Sequence, residues 1–180
     1  KRDWSFCSAI KADEFFENPS LSGYKDLKHV SGKAKLWERV RPAIISFLTN
    51  GTQPKAGSAQ WPLPETGVAS SKARGYSKPP YITELIEIAL LEKDIDEALR
   101  LYDENERTHK NHESWGYGWG SSISDQIADA VKDKYPDRSI DIWKKAAKIH
   151  IDRTNPKEYS IALGYLNRIS KVMKKLGQEK

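Results

Sequence analysis

The chain holds one cysteine, Cys7, and one methionine among its 180 residues. A lone cysteine excludes an internal disulfide and a cysteine-rich zinc site. No apolar run approaches the roughly 20 residues that a bilayer span requires, and the N-terminus lacks the charged-then-apolar order of a secretion signal. These absences lead to the expectation of a cytoplasmic protein with no membrane partner. Alternating strand patterns are missing too, as are a glycine-rich phosphate loop, a Gly-x-Ser-x-Gly elbow and a His-Glu-x-x-His pair. With no motif proposing a reaction, the chain is expected to be non-catalytic and to carry no cofactor and no metal.

Charge and aromatic side chains are plentiful by contrast. Charged residues make up 31% and hydrophobic ones 38%, so the six Trp and eight Tyr must supply much of any core, and the fold is expected to be thin rather than spherical. One domain over 1–180 is the default for this length. Lys1 stands where a Met would begin a natural chain, and the run from Lys174 to Lys180 stops without tail-like character, which suggests a piece of a longer protein. The net charge of +5 is unevenly spread: residues 141–180 hold ten Lys/Arg against four Asp/Glu, and the remainder is nearly neutral. A basic end of this kind attracts nucleic acid or an acidic partner, or is simply the wet face of a helix.

The strongest periodic signal is PPYITELIEIALLEKDIDEALRLYDENERTH. Pro79 and Pro80 can open a helix, and Ile82, Leu85, Ile86, Ala89 and Leu90 recur at helical spacing. Asp94 can cap a second helix with Ile95, Ala98, Leu99, Leu101 and Tyr102 as its buried stripe, and so short a connection predicts an antiparallel hairpin. A similar unit follows: a helix from Ser121 to Lys134, then one from Pro136 through Ile140, Ile142, Trp143 and Ala147. Leu99–Tyr102 aligns with Ile140–Trp143 at an offset of 41 residues, within the period range of helical-hairpin repeats. A last helix from about Asn155 to Leu176 is expected to turn Ile161, Tyr165, Ile169, Val172, Met173 and Leu176 inward and Arg168, Lys171, Lys174 and Lys175 outward.

Nearer the start, residues 3–16 predict a helix, and a hairpin follows with Asn18 as its cap, Pro19 in its first turn and Pro42 kinking or delaying its second helix. Periodicity vanishes from about 50 to 78, where glycines and prolines punctuate a long loop whose middle Trp61, Pro62 and Leu63 can pin to the helices. The fold class is therefore all-α, with antiparallel helical hairpins stacked as a tetratricopeptide-like α-solenoid.

These stretches also carry a resemblance. LIEIALLEKDIDEALRLYDE and YPDRSIDIWKKAAKIHIDRTNPKEYSIALGYLNRISKVMKKLG, preceded by FFENPSLSGYKDLK, LWERVRPAIISFL and WPLPET, resemble the C-terminal helical region of bacterial and archaeal SWIM zinc-finger proteins. The resemblance implies a tetratricopeptide-like solenoid attached to a separate zinc module that binds DNA or protein. That module uses a Cys-x-Cys and a Cys-x-His, so none of its ligands transfers to a chain with one cysteine. The stretch THKNHESWGYGWG departs from the pattern of such repeats.

Within that stretch, His109 and His112 are spaced so that they could share a metal with Glu113, but two loop histidines are the simpler reading. Trp115, Tyr117 and Trp119 alternate with glycines and offer either a stacking surface or a cover for the end of a hairpin. Carboxylate pairs such as Asp94 with Asp96 and Glu104 with Glu106 sit where helix ends and faces favour charge, not acid–base chemistry. Arg168, Lys171, Lys174 and Lys175 could meet phosphates, with salt-sensitive binding. The function expected is a protein–protein interaction scaffold with a protein or peptide partner. The alternative is an accessory nucleic-acid-binding segment using the basic C-terminal helix, with nucleic acid bound through the parent protein.

Overall fold

A computed structural model of the chain describes residues 3–55, 58, 60–67, 78–108 and 120–177, with no side-chain detail at 120 and 121. Among the described residues there are eight helices and no strand: α1 (Trp4–Glu17), α2 (Leu21–Lys33), α3 (Trp37–Asn50), α4 (Ile82–Leu91), α5 (Ile95–Thr108), α6 (Gly120–Val131), α7 (Pro136–Asp152) and α8 (Pro156–Lys175). Within α1 to α4 and within α5 to α8, successive helices pack on one another, as in a helical repeat. The chain divides into two compact units, residues 1–91 and 92–180. The boundary falls in the short connection between α4 and α5, so the two helices read as one hairpin from the sequence belong to different units.

In the N-terminal unit, α1 starts at Asp3, whose carboxylate accepts from the Phe6 N–H, and ends at Asn18. The expected cap at Asn18 is corrected here. Ser20 caps α2, its hydroxyl accepting from the Gly23 N–H at 3.1 Å, because Asn18 is still closing α1 and Pro19 stands between them. Pro42 does not delay α3, which begins at Trp37 and carries the proline in its second turn. Pro79 and Pro80 precede α4 without entering it, and the Tyr81 N–H donates to the Leu48 carbonyl, fastening the chain to α3 just before the helix begins.

The core of this unit is aromatic. Phe47 meets Phe16 edge-to-face at 4.8 Å between centroids, Phe15 lies 6.4 Å from Phe47, and the Tyr81 ring stacks on Phe47 at 5.6 Å. Trp61 and Leu63 are both buried, Trp61 lies 5.7 Å from Phe16, and Thr66 donates to the Asp13 carboxylate at 2.5 Å. The described middle of the long loop is thus held on α1 through Trp61, one of the three residues, with Pro62 and Leu63, expected to pin it. At Gly51 the chain leaves α3 with φ +78°, and a Cβ there would come within 2.5 Å of Pro79 Cγ, so only glycine fits.

In the C-terminal unit, α6 lies against α5 and α7, and α7 makes the most extensive contact of all with α8. Helices α5 and α7 start 41 residues apart, at Ile95 and Pro136, the offset read from the sequence. Equivalent positions do equivalent work. Ala98 and Ser139 are both fully buried. The Tyr102 hydroxyl donates to Ser124 Oγ at 3.0 Å, and the Trp143 indole N–H donates to Asp125 Oδ1 at 3.1 Å, so the two aromatic residues reach adjacent residues of α6. Ser139 also donates to the Ala128 carbonyl at 2.7 Å, deep in the α6–α7 contact.

Charge ties the edges of these helices. Arg138 spans Asp103 and Glu106 at 2.5 and 2.6 Å, Lys145 adds a second contact to Glu106, and Lys134 with the Tyr135 hydroxyl holds Asp96 at 2.7 Å. Burial alone would push the Glu106 carboxyl up, but the hydrogen bonds from Arg138 and Lys145 outweigh it and hold the group below its ordinary value.

Candidate interaction surface

Helix α8 carries the basic residues singled out in the sequence, and its start is well defined. The Asn155 side chain accepts from the Glu158 N–H at 3.1 Å, and Pro156 takes the first helical position, where no N–H is needed. Ala162, Tyr165, Ile169 and Val172 form the buried stripe against α7. At its N-terminal end Glu158 sits 2.5 Å from His150 Nδ1 and 3.1 Å from Arg153, and His150 stacks on Tyr165 at 5.8 Å. The hydrogen bond from His150 leads the effects that lower the Glu158 carboxyl below its ordinary value.

Two residues expected inward are not. Ile161 is 45% exposed and Leu176 40% exposed. Ile161 precedes Ala162 and so points about 100° away from that buried side chain, while Leu176 falls at the cap, after the last helical residue. Met173 is only half-buried.

One flank of α8 borders an open groove of about 460 Å³ shared with α6 and α7. Trp143 and Val172 supply its apolar part, and Arg168, Lys171, Lys175 and Lys132 its cations, opposite Asp125 and Asp129. Arg168 bonds to Asp125, the same carboxylate that accepts from the Trp143 indole. Its guanidinium lies 5.9 Å from the centre of the Trp143 ring and 5.7 Å from that of Tyr165, and the Asp125 hydrogen bond leads the effects that raise its pKa. Lys132 pairs with Asp129 at 2.7 Å, and Lys175 lies 3.6 Å from Asp133. Lys171 has no carboxylate partner among the described residues. The fold therefore brings Arg168, Lys171 and Lys175 to one groove, while Lys174 is exposed but does not line it.

The opposite flank was missed by the sequence reading. Tyr159, Leu163 and Leu166 recur at intervals of four and three residues and are 47%, 57% and 45% exposed, and Met173 continues the line. This second apolar stripe lies about 100° around the axis from the buried one. Its signal was present in the sequence as a second helical period, hidden by the stronger period beside it.

His109, His112, Glu113, Trp115, Tyr117 and Trp119 lie outside the described residues. Among the described residues no group of three His, Cys, Asp or Glu side chains is placed to hold a metal, and no helix is long and apolar enough to cross a membrane. No protein-family model, no curated protein and no solved structure matches this chain.

Proposed function

We propose that this chain is a non-catalytic helical-repeat scaffold that binds a protein partner, as part of a cytoplasmic protein of the SWIM zinc-finger kind. The observation that carries the binding role is the exposed stripe of Tyr159, Leu163 and Leu166 on α8. Scattered apolar side chains on a surface need no explanation, but a line of them at helical spacing on one helix is the form that a helix-binding face takes. The link to SWIM proteins rests on the stretches of sequence quoted above. Absence of catalysis is supported by the groove, where Arg168 with Asp125 and Lys132 with Asp129 neutralise one another on an open surface instead of converging on an enclosed centre.

A second reading, an accessory nucleic-acid-binding segment, draws on Lys171 beside Arg168 and Lys175. It is the weaker one because Arg168 and Lys175 already face carboxylates. Chemical cross-linking of the full chain to proteins of a bacterial lysate at about 150 mM salt is expected to give discrete partners that persist as salt is raised, since apolar contacts are not screened. A shift of bare duplex DNA at about 50 mM salt that vanishes at moderate salt, with no protein cross-linked, decides for the nucleic-acid reading instead.

A further inference from the structure

We propose that residues 60–67 sit as an internal occupant on a peptide-binding face of α1. A segment of another protein with the same chemistry, an aromatic residue beside prolines and a hydroxyl farther on, displaces them. This face belongs to residues 1–91, so it stands or falls separately from the stripe on α8.

The loop is held the way a bound peptide is held. Trp61, 7% exposed, lies 5.7 Å from Phe16, Leu63 is 2% exposed, and the Thr66 hydroxyl donates to Asp13 at 2.5 Å. Among the described residues no backbone hydrogen bond joins 60–67 to a helix, and the Trp61 N–H donates to the Ser58 carbonyl within the loop itself. The end of the same loop is different, because the Tyr81 N–H donates to the Leu48 carbonyl at 2.8 Å. Pro62 and Pro64 have no N–H, so neither loses a backbone donor's bond when the segment leaves. Residue 60 comes ten after the end of α3 at Asn50, and residue 67 fifteen before the start of α4 at Ile82. With connections of that length the segment can part from α1 without unwinding either helix.

The face it leaves keeps its shape. Phe16 and Asp13 stand three apart on α1 and share one side of it. Phe16 is braced by Phe47 at 4.8 Å and Phe15 at 6.3 Å, contacts that do not involve the loop. A braced ring beside a carboxylate suits a segment in which an aromatic residue neighbours prolines, the chemistry by which proline-rich segments dock on aromatic surfaces. The carboxylate then takes the hydroxyl and fixes which end of the segment lies where.

The test uses the full chain, a version opened by Trp61→Ser with Leu63→Ser, and a fluorescein-labelled peptide of residues 60–67. If the loop covers the face at least about nine-tenths of the time, anisotropy shows the peptide binding the opened chain about tenfold or more tightly than the unaltered one. Asp13→Ala in the opened chain is expected to weaken the peptide about threefold or more, and a scrambled peptide is expected not to bind. A second measurement needs no opened chain. With Cys7→Ser as background, Leu63→Cys is expected to react with a thiol reagent at least about a hundredfold faster than Leu48→Cys, because position 63 is reached by local opening and Leu48, fully buried in α3, is not.

Equal labelling rates at the two positions overturn the proposal, as does loss of helix by circular dichroism in the opened chain, since either makes the segment part of the core. So does the absence of peptide binding at about 1 mM, or equal binding of the scrambled peptide. A dimer in sedimentation velocity that Trp61→Ser dissolves overturns it in favour of segments exchanged between two copies. None of these readouts touches α8, so their failure leaves the scaffold reading of that helix where it stands.

Discussion

The two units bury their helices by different means. In residues 1–91 the centre is a cluster of rings, with Phe47 touched by Phe15, Phe16 and Tyr81 and the loop residue Trp61 beside Phe16. In residues 92–180 the apolar seam is thinner, and buried aromatic rings carry polar ends that reach a neighbouring helix, as Tyr102 does to Ser124 and Trp143 to Asp125. Ion pairs then fasten the rims, with Arg138 joining α7 to α5 and Arg168 joining α8 to α6. The contrast teaches that one all-helical chain can fix helix register by non-directional burial in one place and by directional hydrogen bonds in another.

The largest effect should come from the aromatic cluster. Phe47→Ala removes a ring from among four others and is expected to cost about 3–5 kcal/mol, seen in hydrogen exchange as early loss of protection across 4–50. Protection lost equally and simultaneously in 95–152 would show that the units do not open separately. Next is Gly51→Ala, which forces a left-handed backbone on a residue with a Cβ and drives that Cβ into Pro79. About 1–3 kcal/mol is expected in urea unfolding. In the C-terminal unit, Arg138→Met leaves Glu106 and Asp103 without their shared cation, for about 1–2 kcal/mol by the same measurement, because the site is partly open to water.

The smallest effect is the most discriminating, because its sign should differ between units. Glu87 in α4 is pushed above its ordinary value of 4.5, first by burial and then by Glu84. Its folded form binds a proton more readily than its unfolded form, so acidification through the range above 4.5 should stabilise the N-terminal unit slightly. Glu106 in α5 is held below 4.5 in the folded state by Arg138 and Lys145 despite its burial. Its contribution is present above 4.5 and is lost as pH falls through the lowered value, because the unfolded state then takes up the proton first. Both changes should stay below about 1 kcal/mol and are read from hydrogen exchange of each unit, corrected for intrinsic rates, between pH 6 and 4.

Helix existence was the most legible property of the chain. Apolar side chains recurring at three- and four-residue intervals announced α4 to α8, and Asp94, Pro136, Asn155 and Pro156 marked their starts because capping is a local affair of a few backbone N–H groups. The cap of α2 was misread because Asn18 and Ser20 are both good capping residues, and only the end of α1 settles which of them is free to act. On α8 the basic residues were found at once, but not their division: Arg168, Lys171 and Lys175 line the groove beside Trp143, whereas Tyr159, Leu163 and Leu166 form a separate stripe on the other flank.

Sequence by itself thus determined an all-α chain, its helical segments, the 41-residue spacing of α5 and α7, and the concentration of positive charge towards the C-terminus, since period, capping and charge are properties of neighbours along the chain. Tertiary structure alone decided which of two apolar faces of α8 is buried, that Phe16 is the ring Trp61 meets, that Asp125 serves both Trp143 and Arg168, and that the chain divides between α4 and α5. These are outcomes of competition for contact among segments distant in sequence, which no local pattern encodes.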